Sequence, residues 1–159
     1  MFSHIVNMTR NNYKNTNDSD DEDLQKELTD AIKKNQDKIV DDLLKKNVKP
    51  SVDDLKIAVV KYVCSKEKDI KIVKKLTDHG AAPNRRVCVW SMTGKNDENY
   101  ELMDHFIKEN IWPEYENQEE DIKKLPEREN YKSMKLLYNI GKIDIVCMKP
   151  EDVDKMLNS

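Results

Sequence analysis

Three prolines, Pro50, Pro83 and Pro113, stand 33 and then 30 residues apart, and each closes a segment built the same way. The segments are Ile39-Val40-Asp41-Asp42-Leu43-Leu44-Lys45-Lys46-Asn47, Ile72-Val73-Lys74-Lys75-Leu76-Thr77-Asp78-His79-Gly80 and Leu102-Met103-Asp104-His105-Phe106-Ile107-Lys108-Glu109-Asn110. A period of this length marks a chain of stacked units rather than one closed around a single core. Residues three and four apart share a helical face, so Val40, Leu43 and Leu44 form an apolar stripe that must be covered. Asn47, Gly80 and Asn110 then sit where each helix must stop. Glycine accepts the left-handed turn conformation freely and asparagine better than most, and the following proline cannot continue a helix. A fourth copy, Met134-Lys135-Leu136-Leu137-Tyr138-Asn139-Ile140-Gly141, ends 31 residues after Asn110, with Asp144 where a proline is expected.

The second unit carries the most specific wording, Asp69-Ile70-Lys71-Ile72-Val73-Lys74-Lys75-Leu76-Thr77-Asp78-His79-Gly80-Ala81-Ala82-Pro83-Asn84. It resembles the second half of an ankyrin repeat, with its Ile-Val, its Leu run and its Gly-Ala-x-x-Asn ending. Leu28 and Ala31 stand where that family's first helix places Leu and Ala. No unit has the Thr-Pro-Leu-His start, and Leu55-Lys56-Ile57-Ala58 lies far enough ahead of Gly80 to imply a lengthened helix or loop around residues 62–68. The resemblance covers about residues 24–145. It implies an all-α, ankyrin-like α-solenoid of about four helix-turn-helix repeats, at about 23–50, 51–83, 84–113 and 114–145.

A flexible polar leader is expected over residues 1–22, and the acidic stretch Asp18, Asp20, Asp21, Glu22 and Asp23 leads from it into Leu24, suited to a helix N-terminus or to a basic partner. At the other end Pro150 fits the first position of a short helix over 149–159, with Glu151 and Asp152 in its first turn. Val153, Met156 and Leu157 are expected to cover the fourth unit. Residues 116–130 are either an irregular first helix or a loop. The chain is 37% charged with mean hydropathy −0.89, too polar for a large closed core but sufficient for stacked units, which bury only a thin one. Lysine outnumbers arginine 24 to 4, a bias typical of A/T-rich genomes such as those of viruses, intracellular bacteria and protists.

The motifs of catalysis are missing from the pattern. Cys64, Cys88 and Cys147 are far apart and next to apolar residues, which suits reduced, partly buried thiols rather than disulfides or paired metal ligands. His79 and His105 fall at solvent-facing or helix-end positions, and His79 is placed to meet helix carbonyls. Gly94 and Gly141 stand alone, so no phosphate-cradling loop is written. No enzyme, cofactor or metal is expected. A net charge of −3 disfavours nucleic acid, although Lys61, Lys66, Lys68, Lys71, Lys74 and Lys75 could form a local basic strip. No stretch reaches membrane-spanning length, and the start Met1-Phe2-Ser3-His4-Ile5-Val6 is too short for a secretory signal, so an intracellular protein, cytoplasmic and possible also in the nucleus, is expected.

The resemblance implies that a partner is held by the inter-repeat tips and first helices. Arg85, Arg86, Trp90 and Met92, and then Ile111, Trp112, Glu114 and Tyr115, follow the turn residues and belong to the types that dominate interfaces. Trp112 fits equally well as a core side chain, and Trp90 has Val87 and Val89 as apolar neighbours. The function implied is a non-enzymatic protein–protein interaction module, in analogy with inhibitors of NF-κB a protein that sequesters a host signalling or transcription factor. The alternative is a self-assembling subunit of a larger complex.

Overall fold

A computed structural model describes residues 19–159. Among the described residues the chain is all-helical and has no strand. The first helix, α1, covers residues 19–33. It is followed by α2 (Asp37–Lys45), α3 (Val52–Cys64), α4 (Lys71–Asp78), α5 (Arg85–Ser91), α6 (Tyr100–Lys108), α7 (Gln118–Ile122), α8 (Tyr131–Asn139) and α9 (Pro150–Leu157). Two 3-10 turns, Pro126–Arg128 and Ile145–Cys147, flank α8. Residues 1–18, with most of the expected leader, lie outside the described residues. Residues 19–22, placed in the expected leader, belong to α1.

The helices come in pairs, and the recurring turn residues are what make the pairs alike. Asn47, Gly80, Asn110 and Gly141 all adopt positive φ, at 65°, 97°, 55° and 77°. In each copy the next amide reaches back over the turn to the same buried position: Val48 to Leu43 O, Ala81 to Leu76 O, Ile111 to Phe106 O and Lys142 to Leu137 O, at 3.2, 3.0, 3.0 and 2.9 Å. This is the Schellman closure, which satisfies carbonyls that a helix end leaves without a partner. Leu43, Leu76, Phe106 and Leu137 are all buried, so one residue in each unit both anchors the core and receives the turn. α1 ends the same way at Asn35, with Gln36 N on Ala31 O.

Second helices pack on second helices and first on first. α2 packs on α4, α6 on α8 and α3 on α5, while α3–α4 and α5–α6 close within their own pairs. Polar links reinforce each layer. Lys75 Nζ meets Asp41 Oδ2 at 3.0 Å between α4 and α2, and Thr77 Oγ1 meets His105 Nε2 at 2.8 Å between α4 and α6. In the other layer the buried Asp54 accepts Gln25 Nε2 and Thr29 Oγ1 of α1, both at 2.7 Å, and the amide of Ser51 at 2.9 Å. Ser51 in turn caps Asp54 N, completing the capping box that starts α3. A carboxylate 1% exposed is tolerable only when so fully bonded.

Two buried clusters result. One runs from Leu28 through Leu44, Leu55 and Leu76 to Phe106, and the other joins Cys88, Met92, Met103, Ile122, Leu125, Met134, Leu137 and Met156. The lengthened region around 62–68 is the last turn of the 13-residue α3 followed by a loop, whose Lys68 Nζ closes the helix on Tyr62 O and Val63 O. The stretch 116–130 is the irregular first helix, cut to α7 and a 3-10 turn. α9 begins with Pro150 and packs on α8, with Met156 fully buried and Val153 half-buried. Leu157, expected to cover the fourth unit, is 47% exposed, because Met156 takes the inward position of that turn and its neighbour faces outward. Cys88 is buried as expected, but Cys64 at the end of α3 and Cys147 in the 3-10 turn are exposed. No described helix is long and apolar enough to cross a membrane.

Candidate functional site

α5 begins at Asn84, whose side chain caps Val87 N at 3.1 Å. Its seven residues turn Val87, Cys88 and Ser91 inward, so Arg86, Val89 and Trp90, spaced three and four apart, share the outer side. α3 lies alongside and contributes Lys56. Together Lys56, Asn84, Arg85, Arg86, Val89 and Trp90 line a groove of 660 Å³. Val52 and Val60, one turn to either side of Lys56 on α3, are each 38% exposed.

Three cations meet in this groove, and each has a different degree of freedom. Lys56 Nζ lies 3.0 Å from Asp53 in an exposed pair. Arg85 has its guanidinium 5.7 Å from the Tyr115 ring centre and its Nε 3.7 Å from Asp121 Oδ2, beyond hydrogen-bond reach. Arg86 is exposed and forms no ion pair or hydrogen bond among the described residues. No carboxylate stands in the first turn of α5 to offset the two arginines. Compared with protein-family models, with curated proteins and with solved structures, this chain matches none.

The eight residues expected to meet a partner therefore divide. Arg85, Arg86 and Trp90 come together in the groove, Trp90 half-buried against the first core. Met92 does not belong with them. It is 1% exposed in the second core, because it lies one helical turn after the buried Cys88, with its amide on Cys88 O, and its own carbonyl accepts Arg128 Nη1 at 3.1 Å. Ile111 and Trp112 are half-buried, Ile111 against the first core and Trp112 against both. Glu114 and Tyr115 lie beyond Arg85, away from the groove, beside a second depression of 430 Å³ that also includes Glu119, Glu120 and Lys142. Lys142 pairs with Glu114 and, by that hydrogen bond and its charge, holds the carboxyl below its ordinary range.

Between the two depressions, Tyr115 Oη, Asp121 Oδ2 and Trp112 Nε1 are buried without a hydrogen-bond partner. Burial, with the Asp121 carboxylate and the Cys88 thiol adding to it, pushes the Tyr115 phenol well up. Burial alone pushes the Cys88 thiol up to about 12, which keeps it protonated and unreactive. His105, expected at a solvent-facing or helix-end position, stands in the last turn of α6 but is 8% exposed and faces Thr77 across the layer, since α6 turns it toward α4. His79 does meet a helix carbonyl, with Nδ1 2.9 Å from Lys75 O. The basic strip is partly consumed, Lys75 by Asp41 and Lys68 by the end of α3, leaving Lys71 and Lys74 exposed on α4. Among the described residues no group of three or more His, Cys, Asp or Glu is arranged to hold a metal.

Lys56, Asn84 and Val89 were not among the expected partner residues. A signal for Lys56 exists in the four-residue spacing Val52-Lys56-Val60, which interrupts the burial pattern of α3 with a cation between two exposed valines. Nothing local marks Asp121 or Lys142, whose contacts come from other units.

Proposed function

We propose that this chain is a protein-binding module, an ankyrin-like solenoid of about four repeats capped by α9, which acts by occupying a partner's surface rather than by chemistry. The groove between α3 and α5 carries this reading. Its walls hold two guanidiniums, an ammonium, an amide, a valine and an indole, a set that grips and orients but contains no nucleophile or general base. The Schellman turns that end α2, α4, α6 and α8, at intervals of 33, 30 and 31 residues, support the repeat architecture.

The test compares two charge reversals in opposite layers, each first shown to keep the native far-UV circular dichroism. Lys56→Glu with Arg86→Glu alters the groove, and Lys71→Glu with Lys74→Glu alters the exposed face of α4. In affinity capture from eukaryotic cell lysate, a partner retained by the native chain and the α4 variant should be lost by the groove variant. Equal retention by both variants, or no specific retention by the native chain, sinks the reading. The self-assembling alternative is carried by Val146, 86% exposed beside Ile145, and a mass in solution that rises with concentration would favour it.

A further inference from the structure

The groove's charge is unusual for the chain that carries it. The net charge is −3, only four arginines occur, and two of them are adjacent here. Lysine would supply the same charge in a chain where it is six times as common. The guanidinium adds a planar fork that meets both oxygens of a carboxylate. Arg86 presents its fork without a partner, and Arg85 is steadied by the Tyr115 ring while Asp121 stays 3.7 Å away. Lys56 is held only by Asp53, which is 79% exposed, and such surface pairs exchange readily for another carboxylate.

The surroundings limit what anion fits. Asp53 stands beside Lys56, and beyond Arg85 the neighbouring depression holds Glu114, Glu119 and Glu120, all exposed. A long polyanion such as a nucleic-acid strand would run its phosphates over both acidic flanks. A short acidic stretch would not, since its charge can be confined to the groove. Within the groove Val89 and Trp90 lie one turn from Arg86, with Val60 one turn from Lys56, so an apolar side chain of the ligand finds a surface next to the cations.

We propose that the groove between α3 and α5 holds a short acidic protein segment bearing one bulky apolar side chain, its carboxylates on Lys56, Arg85 and Arg86 and its apolar group on Val89 and Trp90. This rests on the protein-binding reading above and names the chemistry of the partner.

The experiment is fluorescence anisotropy with the full chain and three labelled probes. They are a peptide whose glutamates surround a single leucine between serine–glycine ends, the same peptide with lysine for glutamate, and oligothymidylate. The glutamate peptide should bind at least about ten-fold tighter than the lysine peptide and should weaken as salt rises. Arg86→Glu should reverse that preference, an effect that mere loss of packing would not produce, and Lys74→Glu should leave it unchanged. Equal binding of both peptides, or binding of neither, overturns the proposal, as does Arg86-dependent binding of oligothymidylate tighter than that of the glutamate peptide. If lysate capture depends on the groove while the acidic preference is missing, the module reading stands and this one falls. If neither depends on the groove, both fall.

Discussion

The core that joins α1 to α6 is built of leucine, isoleucine, valine and alanine around Tyr62 and Phe106, whereas four of the eight buried residues in the core between α5 and α9 are methionines. The difference follows the regularity of the helices. Where α2 stacks on α4 and α3 on α5, equivalent positions recur and stiff branched side chains fit them in defined rotamers. In the last unit the first helix is cut to five residues and a 3-10 turn, so the space to be filled is irregular. Methionine, unbranched and with three rotatable bonds, fills such space at little cost.

The second core has a polar tie of its own between units, as the first has at Asp54. Asp97, with φ 58°, sends its carboxylate across 35 residues to cap α8, accepting Lys132 N at 3.1 Å and Ser133 N at 2.9 Å. Asn130, 2% exposed, returns the contact by accepting Asp97 N at 2.8 Å and donating to Gly94 O at 3.1 Å. α8 has no cap of its own from Asn130, so its start is held by another unit. The start of α3 is capped from within its own unit, by Ser51 and Asp54, and that of α8 from another.

The largest effect expected from this contrast is at the anchor of a regular turn. Leu76→Ala should cost about 2–5 kcal/mol by chemical denaturation, because it leaves a cavity that stiff neighbours cannot fill. Met134→Leu in the second core should cost less than about 1.5 kcal/mol, and a loss equal to that of Leu76→Ala would erase the distinction. Next in size is removal of residues 150–159. It uncovers α8 and discards the fully buried Met156, whose burial alone stabilises by about 1.5–3 kcal/mol. The unfolding midpoint should fall, and an unchanged midpoint would show that α9 is no cap. Asp97→Ala should cost about 0.5–2 kcal/mol, as the loss of a helix cap does, and should speed amide exchange at Ser133. Uniformly faster exchange through α2 and α4 as well would mean that the two cores do not differ in how they are held.

The smallest effect concerns pH and belongs to the second-helix layer. Burial, aided by Lys74 and opposed by Glu109, Asp78 and Asp104, holds the His105 imidazole below its ordinary value. Thr77 donates its hydroxyl to Lys74 O, so it receives a proton from His105 Nε2. The folded chain therefore favours the neutral ring and the unfolded chain the charged one. This contribution is complete above about pH 6.5 and is lost as pH falls below that value toward the lower folded pKa. His105→Gln keeps a donor for Thr77 and should flatten the dependence of the unfolding midpoint between neutral and mildly acid pH. An unchanged slope would assign the dependence to the carboxylates instead.

Local rules made much of the fold legible before any coordinates. The left-handed residues Asn47, Gly80, Asn110 and Gly141, the stripe Val40-Leu43-Leu44 and the proline start of α9 each follow from a few neighbouring residues and a known backbone preference. What escaped depends on contacts between units. Met92 reads as an exposed residue after a tip until α5 sets it one turn after the buried Cys88, and His105 reads as a solvent-facing residue until α4 lies beside it. Arg85 and Arg86 were visible as a pair, but the carbon wall that makes them a groove needs Lys56 from the preceding unit.

Trp112 packs against both cores with its indole N–H buried and unbonded, while Trp90 packs against the first core alone. The chain therefore carries an optical gauge at its own seam. With only two tryptophans, its emission has one emitter that reports the first core and one that reports the join. If the methionine-rich end loosens before the rest, Trp112 meets water first, and the spectrum shifts to the red while the helical signal of α1 to α4 is still intact.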